Sequence, residues 1–185
     1  MFANKKIVAL GDSITCGFPY SNQESWFDIA AKQLGFDYVN QGINGDSTTW
    51  MYCRFRQDVL SYKPTHVIVM GGTNDAYCDE PSDKVFDNIK QMLQMAQAEG
   101  IKPILGIPIP CDDPYTERLL EEYRLLMRNY AAGNSIPVLD FYSIMCDEKK
   151  QIPYGLHMDG VHPNIDGYQC MATFATAHLR GILEG

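Results

Sequence analysis

Hydrophobic and polar residues along the chain follow two alternating periods, one typical of strands and one typical of helices. Short, nearly continuous apolar runs are expected for strands that are buried on both faces of a sheet. These runs predict strands at residues 6–10, 36–40, 65–70, 102–107 and 136–140. Helical spacing predicts helices at residues 24–34, 48–60, 82–99, 115–132 and 163–183, the last with Pro163 in its first turn.

The order of these elements predicts the fold class. Strands joined by helices of ten or more residues imply right-handed crossovers and a parallel sheet covered on both faces. The expected fold is therefore α/β, a three-layer α/β/α sandwich whose five-stranded parallel sheet has the flavodoxin-like order 2-1-3-4-5. A chain of 185 residues without an internal repeat is expected to form a single domain over residues 1–185.

Ligands of such sheets bind at the carboxyl ends of the strands, and two loops there combine glycines with small polar residues. Gly11 permits a sharp exit from the first strand, after which Ser13 would present its hydroxyl near backbone N–H groups. In the loop at residues 40–47, Gly45 has no side chain to shield its N–H group from a ligand. Both loops therefore offer groups that could act on one substrate.

Two further loops at strand ends supply an amide and a carboxylate–imidazole pair. Asn74 follows two glycines after the third strand, and its side chain is a neutral donor suited to a developing negative oxygen. Asp159 and His162 lie three residues apart in a turn that contains Gly160. The carboxylate could accept from one imidazole nitrogen, which would leave the other nitrogen facing the crevice.

Each loop also has a simpler structural interpretation. Small polar residues that follow strands are common helix caps and turn residues. This alternative applies to Asp12, Ser13, Asp46, Ser47, Asp75 and Asp159. Taken together, however, the four loops combine a hydroxyl, a base with its acidic neighbour and amide donors, which are the groups that acyl transfer requires.

The four segments, in this order, resemble the sequence blocks of the SGNH hydrolases, also called the GDSL family of esterases and lipases. The matching segments are Gly11-Asp12-Ser13, Asn40 through Gly45, Gly72-Thr73-Asn74-Asp75 and Asp159-Gly160-Val161-His162-Pro163. Ile14 stands where many members of the family have Leu. The resemblance extends from Gly11 to Pro163 and covers most of the chain.

The resemblance implies a role for each matching residue. Ser13 would be the nucleophile, His162 the general base and then acid, and Asp159 the residue that orients His162. The Ser13 and Gly45 N–H groups and the Asn74 side chain would form the oxyanion hole. Two further carboxylates would support these residues from behind, namely Asp12 and Asp75. The reaction would be hydrolysis of a carboxylic ester through an acyl-serine, without a metal or organic cofactor.

The same resemblance allows short-chain esters, thioesters, lysophospholipids and acetylated sugars as substrates. Residues 18–20, 108–115 and 152–156 could form an apolar rim, although core packing explains them equally well. The short chain has no large lid insertion, which favours small esters. Two alternatives stay open: a flavodoxin-like module that binds phosphate or a nucleotide, and a catalytically silent relative that binds carbohydrate or a protein.

Composition narrows the classes of partner. The chain has 15 basic and 23 acidic residues and a net charge of −8, which disfavours nucleic acids and anionic lipid surfaces. No apolar run approaches the ~20 residues of a membrane helix, and the N-terminus has no signal-peptide pattern, so we expect a cytoplasmic protein. The sequence has no pattern that indicates a particular oligomeric state.

The remaining titratable residues receive structural interpretations. Six scattered cysteines without a C-x-x-C pair are expected to be apolar fillers. His157 and Asp159 lack further ligands at zinc-like spacing, so no metal site is expected. His66 is expected to be structural. A mixed set of charges in the helix at residues 115–132 is expected to form a solvated face: Glu117, Arg118, Glu121, Glu122, Arg124 and Arg128.

Overall fold

Five parallel strands form one sheet in the order β2-β1-β3-β4-β5, which confirms the predicted topology. The computed structural model describes residues 2–185, so only Met1 of the predicted domain lies outside the described residues. The strands are β1 Lys6–Gly11, β2 Asp37–Gly42, β3 His66–Met70, β4 Lys102–Ile107 and β5 Val138–Asp140. Every neighbouring pair is parallel, as crossover connections require.

Residues 2–185 contain seven α-helices. They are α1 Ser13–Cys16, α2 Trp26–Leu34, α3 Thr48–Asp58, α4 Thr73–Tyr77, α5 Ser82–Ala98, α6 Pro114–Gly133 and α7 Ile165–Glu184. Of these, α2 and α7 cover one face of the sheet and α3, α5 and α6 the other. Four short 3₁₀ turns lie between them, at Asn22–Glu24, Leu60–Tyr62, Phe141–Ile144 and Tyr154–Leu156. In the described part of the chain, none of the helices has the length and apolarity needed to cross a membrane.

Alternate residues of the central strands pack into two separate hydrophobic cores. Ile68 of β3 faces the core formed with α2 and α7, whereas Val67 and Val69 face the core formed with α3, α5 and α6. All three side chains are fully buried. The β-branched run of β3 is therefore continuous in sequence because both faces of the strand require apolar residues.

The register of the sheet brings three loops to one level. Gly11, the last residue of β1, lies opposite Gly42 of β2 and Met70 of β3. The segments that begin at Asp12, Ile43 and Gly71 therefore leave the same edge of the sheet. The loop that contains Asp159 and His162 reaches this edge from the chain between β5 and α7.

The helix ends differ from the sequence prediction for local reasons. The helix predicted from about residue 24 begins at Trp26, because Ser25 caps it by accepting from the Asp28 N–H at 3.2 Å. Pro163 lies outside the last helix, which begins at Ile165 with Asn164 as its cap. The short helix α1 begins at Ser13, where a helix or a turn was expected, and α4 occupies a position where a glycine-rich turn with a cap was expected.

Arg124 is the clearest correction to the sequence analysis. Its side chain is 1% exposed and does not lie on a solvated face of α6. The guanidinium donates to both carboxylate oxygens of Glu117 and to the carbonyl oxygens of Pro108 and Ile109. It also lies 4.3 Å from the centre of the Tyr142 ring. Arg124 therefore attaches α6 to the segment that follows β4.

We expect Arg124→Ala to lower the free energy of unfolding by about 3–5 kcal/mol, because it leaves two carbonyl groups unpaired and leaves the Glu117 carboxylate with only the Cys111 N–H as its partner. Urea-induced unfolding followed by circular dichroism measures the change. Arg118→Ala on the exposed side of the same helix is the control and should change stability by less than about 0.5 kcal/mol. Equal losses in the two variants would contradict the account of Arg124.

Candidate active site

Ser13 lies at the first position of α1, directly after β1. The Asp12 side chain caps this helix by accepting from the Ile14 N–H at 2.9 Å. The cap interpretation of Asp12 is therefore correct, and it fixes the turn that carries Ser13. The N–H group of Ser13 has no acceptor within its own helix, because the first residues of a helix have no preceding turn.

The structure brings Ser13, His162 and Asp159 into one hydrogen-bonded chain. The Ser13 Oγ atom lies 3.0 Å from His162 Nε2, although the residues are 149 positions apart. The His162 Nδ1 atom lies 2.8 Å from Asp159 Oδ2. The other carboxylate oxygen of Asp159 accepts from the backbone N–H groups of Val161 and His162, at 3.1 and 2.8 Å.

The charge on Asp159 determines the tautomer of His162. Burial raises the pKa of Asp159, but the hydrogen bonds from the His162 N–H group and ring and from Val161 outweigh it and hold the pKa below its usual range. Because the carboxylate is ionised at neutral pH, the proton of the neutral ring lies on Nδ1. Nε2 is then free to accept the proton of the Ser13 hydroxyl.

Gly45 and Asn74 come from the second and third loops. Gly45 has φ +76°, in the left-handed region, with open space where a Cβ would lie. The Asn74 side-chain amide donates to the Asp46 carbonyl oxygen at 2.9 Å, which uses one of its two hydrogens. Gly42, where β2 ends, lets the backbone of α1 approach, since any Cβ there would collide with the Cys16 backbone.

Asp75 lies behind these residues and supports a neighbouring helix. Its carboxylate is 1% exposed and accepts from the Thr48 N–H at 2.9 Å and the Thr48 hydroxyl at 2.6 Å. It therefore joins the third loop to the start of α3 and does not cap its own helix α4. Burial raises the pKa of Asp75, and the bonds from Thr48 oppose that effect.

Two side chains that the sequence analysis did not single out hold this edge of the sheet together. Arg54 donates to the Asp46 carboxylate and to backbone carbonyls of β1 and β2. Asn40 donates to the Thr15 carbonyl at 2.9 Å and accepts from the Gly42 N–H at 2.9 Å. The available signal for Arg54 was a charged residue between Met51 and Phe55, on the apolar side of a predicted helix.

The predicted apolar rim is divided between the site and the core. The Phe18 ring lies 4.7 Å from the His162 ring, centre to centre, and Phe18 is 38% exposed. The Tyr20 hydroxyl donates to the Met158 sulfur at 3.4 Å. Ile109 and Ile152 belong to the core and are almost fully buried. Phe18 therefore provides apolar surface beside His162, whereas Ile109 and Ile152 do not.

A cavity of about 570 Å³ lies at the opposite edge of the sheet, where β3 and β4 begin. His66 and Lys102 line it, and none of the predicted site residues does. His66 is 1% exposed and bonded to Thr65, as a structural histidine would be. Burial, with smaller contributions from Lys5 and Lys102, lowers the pKa of His66 to about 4.

His157 contacts protein groups on both ring nitrogens. Its Nδ1 accepts from the Gly160 N–H at 2.7 Å, and its Nε2 lies 3.5 Å from Asp112 Oδ2. Within residues 2–185, no three His, Cys, Asp or Glu side chains are grouped so that they could hold a metal ion. His157 is therefore part of the framework of the loop that carries His162.

The sequence profile of the GDSL-like lipase/acylhydrolase family matches residues 9–170. The matched range contains the last three residues of β1, the other four strands and the His162 loop. The chain therefore belongs to this family, which confirms the resemblance to the SGNH hydrolases, and it is an ester-hydrolysing enzyme.

Several characterised and solved proteins are similar to this chain over most of their length. Esterase TesA of Pseudomonas aeruginosa is 27% identical over 167 residues, or 87% of this chain and 81% of that protein. Thioesterase 1/protease 1/lysophospholipase L1 of Escherichia coli is 25% identical over 181 residues, or 96% and 85%. A structure of a G-D-S-L family protein from Desulfitobacterium hafniense has a TM-score of 0.89 at 32% identity, and the match covers 94% of this chain and 99% of that one.

The pKa of Asp12 is expected to make the free energy of unfolding of the protein depend on pH. Burial, reinforced by Asp75 and Asp46 and opposed by the Ile14 N–H and His162, raises the pKa of Asp12 from 3.8 to about 6. Between these values the folded protein holds a proton that the unfolded chain has lost. We therefore expect Asp12 to reduce stability as the pH rises through this window, on the order of 3 kcal/mol in total.

Asp12→Asn tests this expectation, because the amide oxygen can still cap α1 but has no proton to lose. Urea unfolding of both proteins across the window should show the variant gaining stability over the wild type as the pH rises. The difference should become constant above about pH 6. A difference that does not change with pH would contradict the raised pKa.

Proposed function

We propose that the protein hydrolyses small carboxylic esters through an acyl-enzyme formed on Ser13. The observation that carries the proposal is the 3.0 Å distance between Ser13 Oγ and His162 Nε2, with Asp159 on the far side of the ring. A serine hydroxyl is a weak nucleophile at neutral pH, and a positioned base removes its proton as it attacks. The order hydroxyl, imidazole, carboxylate supplies that base and fixes its tautomer.

In the proposed first half-reaction, Ser13 Oγ bonds to the ester carbonyl carbon and His162 Nε2 takes the hydroxyl proton. The carbonyl oxygen becomes an oxyanion that accepts from the Ser13 and Gly45 N–H groups and from the free amide hydrogen of Asn74. Asp159 stabilises the imidazolium. The tetrahedral intermediate then breaks its bond to the alcohol oxygen, which receives the proton from His162.

In the second half-reaction, a water molecule replaces the alcohol. His162 Nε2 removes one proton from the water as its oxygen bonds to the acyl carbon. The intermediate breaks its bond to Ser13 Oγ and returns the proton to it, which releases a carboxylic acid. Apart from the ester and one water molecule, both half-reactions use only groups that the chain supplies.

The aromatic side chains near His162 favour a small acyl group. Phe18 and Tyr20 provide a limited apolar surface there, while Ile109 and Ile152 are in the core. This surface could cover a short acyl group, and we propose acyl groups of that size. The names of the relatives include esterase, thioesterase and lysophospholipase, so they do not distinguish among acyl groups.

The first loop is poorly suited to the alternative of a phosphate-binding module. A phosphate at the start of α1 would need the Ile14 N–H group, which the Asp12 carboxylate already engages. That carboxylate would also repel the phosphate charge.

The cytoplasmic location stays part of the proposal, and six free cysteines are what a reducing compartment allows.

Ser13→Ala tests the proposed nucleophile. We expect kcat for p-nitrophenyl acetate to fall by at least about 10³-fold, because no acyl-enzyme can form. The unfolding midpoint should stay close to that of the wild type, since the Ser13 side chain bonds only to His162 within the described residues. A fluorophosphonate probe should label the wild-type protein at Ser13 and should not label the variant.

Ser61→Ala is the matched control, because Ser61 is exposed and its hydroxyl bonds only to the neighbouring Gln57 carbonyl. This variant should keep the wild-type rate and labelling. Hydrolysis that persists in Ser13→Ala at the wild-type rate would rule out the proposed nucleophile. A folded wild-type protein with no hydrolysis and no labelling would favour a silent binding relative.

A series of p-nitrophenyl esters tests the proposed acyl size. We expect kcat/KM to be highest from acetate to butyrate and to be about tenfold lower for octanoate, a difference of about 1.4 kcal/mol in transition-state stabilisation. Rates are taken below the micelle concentration of each ester and corrected with Ser13→Ala. A steady rise through octanoate and laurate would instead indicate a groove for a long acyl chain.

A further inference from the structure

Arg54 on α3 has every arm of its guanidinium bonded to the protein. Nε donates to Asp46 Oδ2 at 2.7 Å, and Nη1 donates to Asp58 Oδ2 at 3.0 Å. Nη2 donates to the carbonyl oxygens of Gly11 at 3.0 Å and Gln41 at 2.9 Å. The side chain is 14% exposed, so these bonds are largely shielded from water.

The acceptors of Arg54 belong to the segments that carry the reactive groups. Gly11 is the last residue of β1 and precedes the turn that carries Ser13. Gln41 lies one residue before the end of β2. Asp46 follows Gly45 directly in the second loop. One side chain thus joins the end of β1, the end of β2 and the loop between β2 and α3.

The third loop is connected to the same side chain through Asp46. The Asn74 amide donates to the Asp46 carbonyl oxygen at 2.9 Å, while Arg54 holds the Asp46 carboxylate. The position of the Asn74 side chain therefore depends on a residue that Arg54 fixes. Arg54 and Asp46 therefore connect three loops that are far apart in the sequence: the loops that carry Ser13, Gly45 and Asn74.

Only a guanidinium can make this set of contacts. Its planar fork directs Nε and both Nη groups along different, fixed directions, whereas a lysine ammonium is a single point with a flexible stem. The two carboxylates of Asp46 and Asp58 also balance the buried positive charge. Lysine at this position would keep the charge but could not reach the carbonyls and both carboxylates together.

We propose that Arg54 is a positioning residue for ester hydrolysis, which fixes the Gly45 N–H group and the Asn74 amide where the oxyanion forms. This inference rests on the function proposed above. Donors stabilise the oxyanion only if they are in place before charge develops, and loss of one donor typically costs about 10²–10³-fold in kcat. A displacement near 1 Å can cost about 10²-fold.

Arg54→Lys is the test, with p-nitrophenyl acetate as substrate. We expect kcat to fall about 10²-fold while KM changes by less than about threefold, because the donors act mainly in the transition state. The pH midpoint of kcat/KM should stay at its wild-type value, since Arg54 does not contact His162. Labelling of Ser13 by a fluorophosphonate should slow by a similar factor.

Arg56→Lys is the matched control, because Arg56 lies on the same helix with an exposed side chain. It should keep the wild-type kcat, KM and labelling rate. Guanidinium at millimolar concentration should restore part of the kcat of Arg54→Ala and should not raise that of Arg56→Ala. A residue that merely stabilises the fold would change the unfolding midpoint without this selective loss of kcat.

Asp46→Asn removes the charge of the carboxylate that Arg54 contacts. This variant is the second test of the proposal if Arg54→Lys does not fold. It should lower kcat by about tenfold or more without a matching rise in KM. A folded Arg54→Lys with the wild-type kcat, or a wild-type kcat in Asp46→Asn, would overturn the inference. A wild-type protein that cleaves no ester would instead overturn the proposed function, so the two failures are distinguishable.

Discussion

The contact between the Ser13 hydroxyl and the His162 ring joins two parts of the chain that are anchored by different means. On one side, Ser13 is fixed by the end of β1 and by the Asp12 cap. On the other side, His162 belongs to a loop held by hydrogen bonds within the loop and by one from the segment that follows β4. The Asp112 N–H donates to the Gly160 carbonyl at 2.8 Å, and the Gly160 N–H donates to His157. Both anchors must hold for the distance of 3.0 Å to persist.

Three buried carboxylates lie near this edge of the sheet, and each accepts hydrogen bonds from a defined partner. Asp12, Asp46 and Asp75 are all at most 7% exposed, and burial raises the pKa of each. Each nevertheless has a defined partner: the Ile14 N–H, the Arg54 guanidinium and Thr48. The carboxylates therefore act as hydrogen-bond acceptors for neighbouring segments of the chain. Their burial close to one another is electrostatically unfavourable.

The strands could be predicted from the sequence because a buried parallel strand needs apolar residues on both faces, as in β3. The meeting of the four motif loops could be predicted from topology, because the carboxyl ends of parallel strands share an edge. The site residues came from those loops and from the family resemblance. Sequence patterning thus located the parts of the site that depend on local composition and on the order of elements.

Other features depend on contacts that no local pattern encodes. Arg124 has the spacing of a solvated charge, yet its partners include carbonyl groups of a segment more than ten residues away. The helix Thr73–Tyr77 follows a glycine-rich turn and is too short to show a hydrophobic period. Arg54 was missed because its acceptors lie on three separate segments, which become neighbours only when the sheet forms.

Asp159 and His162 lie in the loop between β5 and α7, well after the end of β5, whereas the other site residues closely follow the end of a strand. Its 3₁₀ turns, its internal bonds and its contact with Asp112 give it a shape of its own. The strand ends that carry Ser13 and Asn74 are set by the register of the sheet and do not depend on the length of this loop. Changes in this loop would therefore move the base and its carboxylate while the nucleophile, which the sheet holds, stays in place.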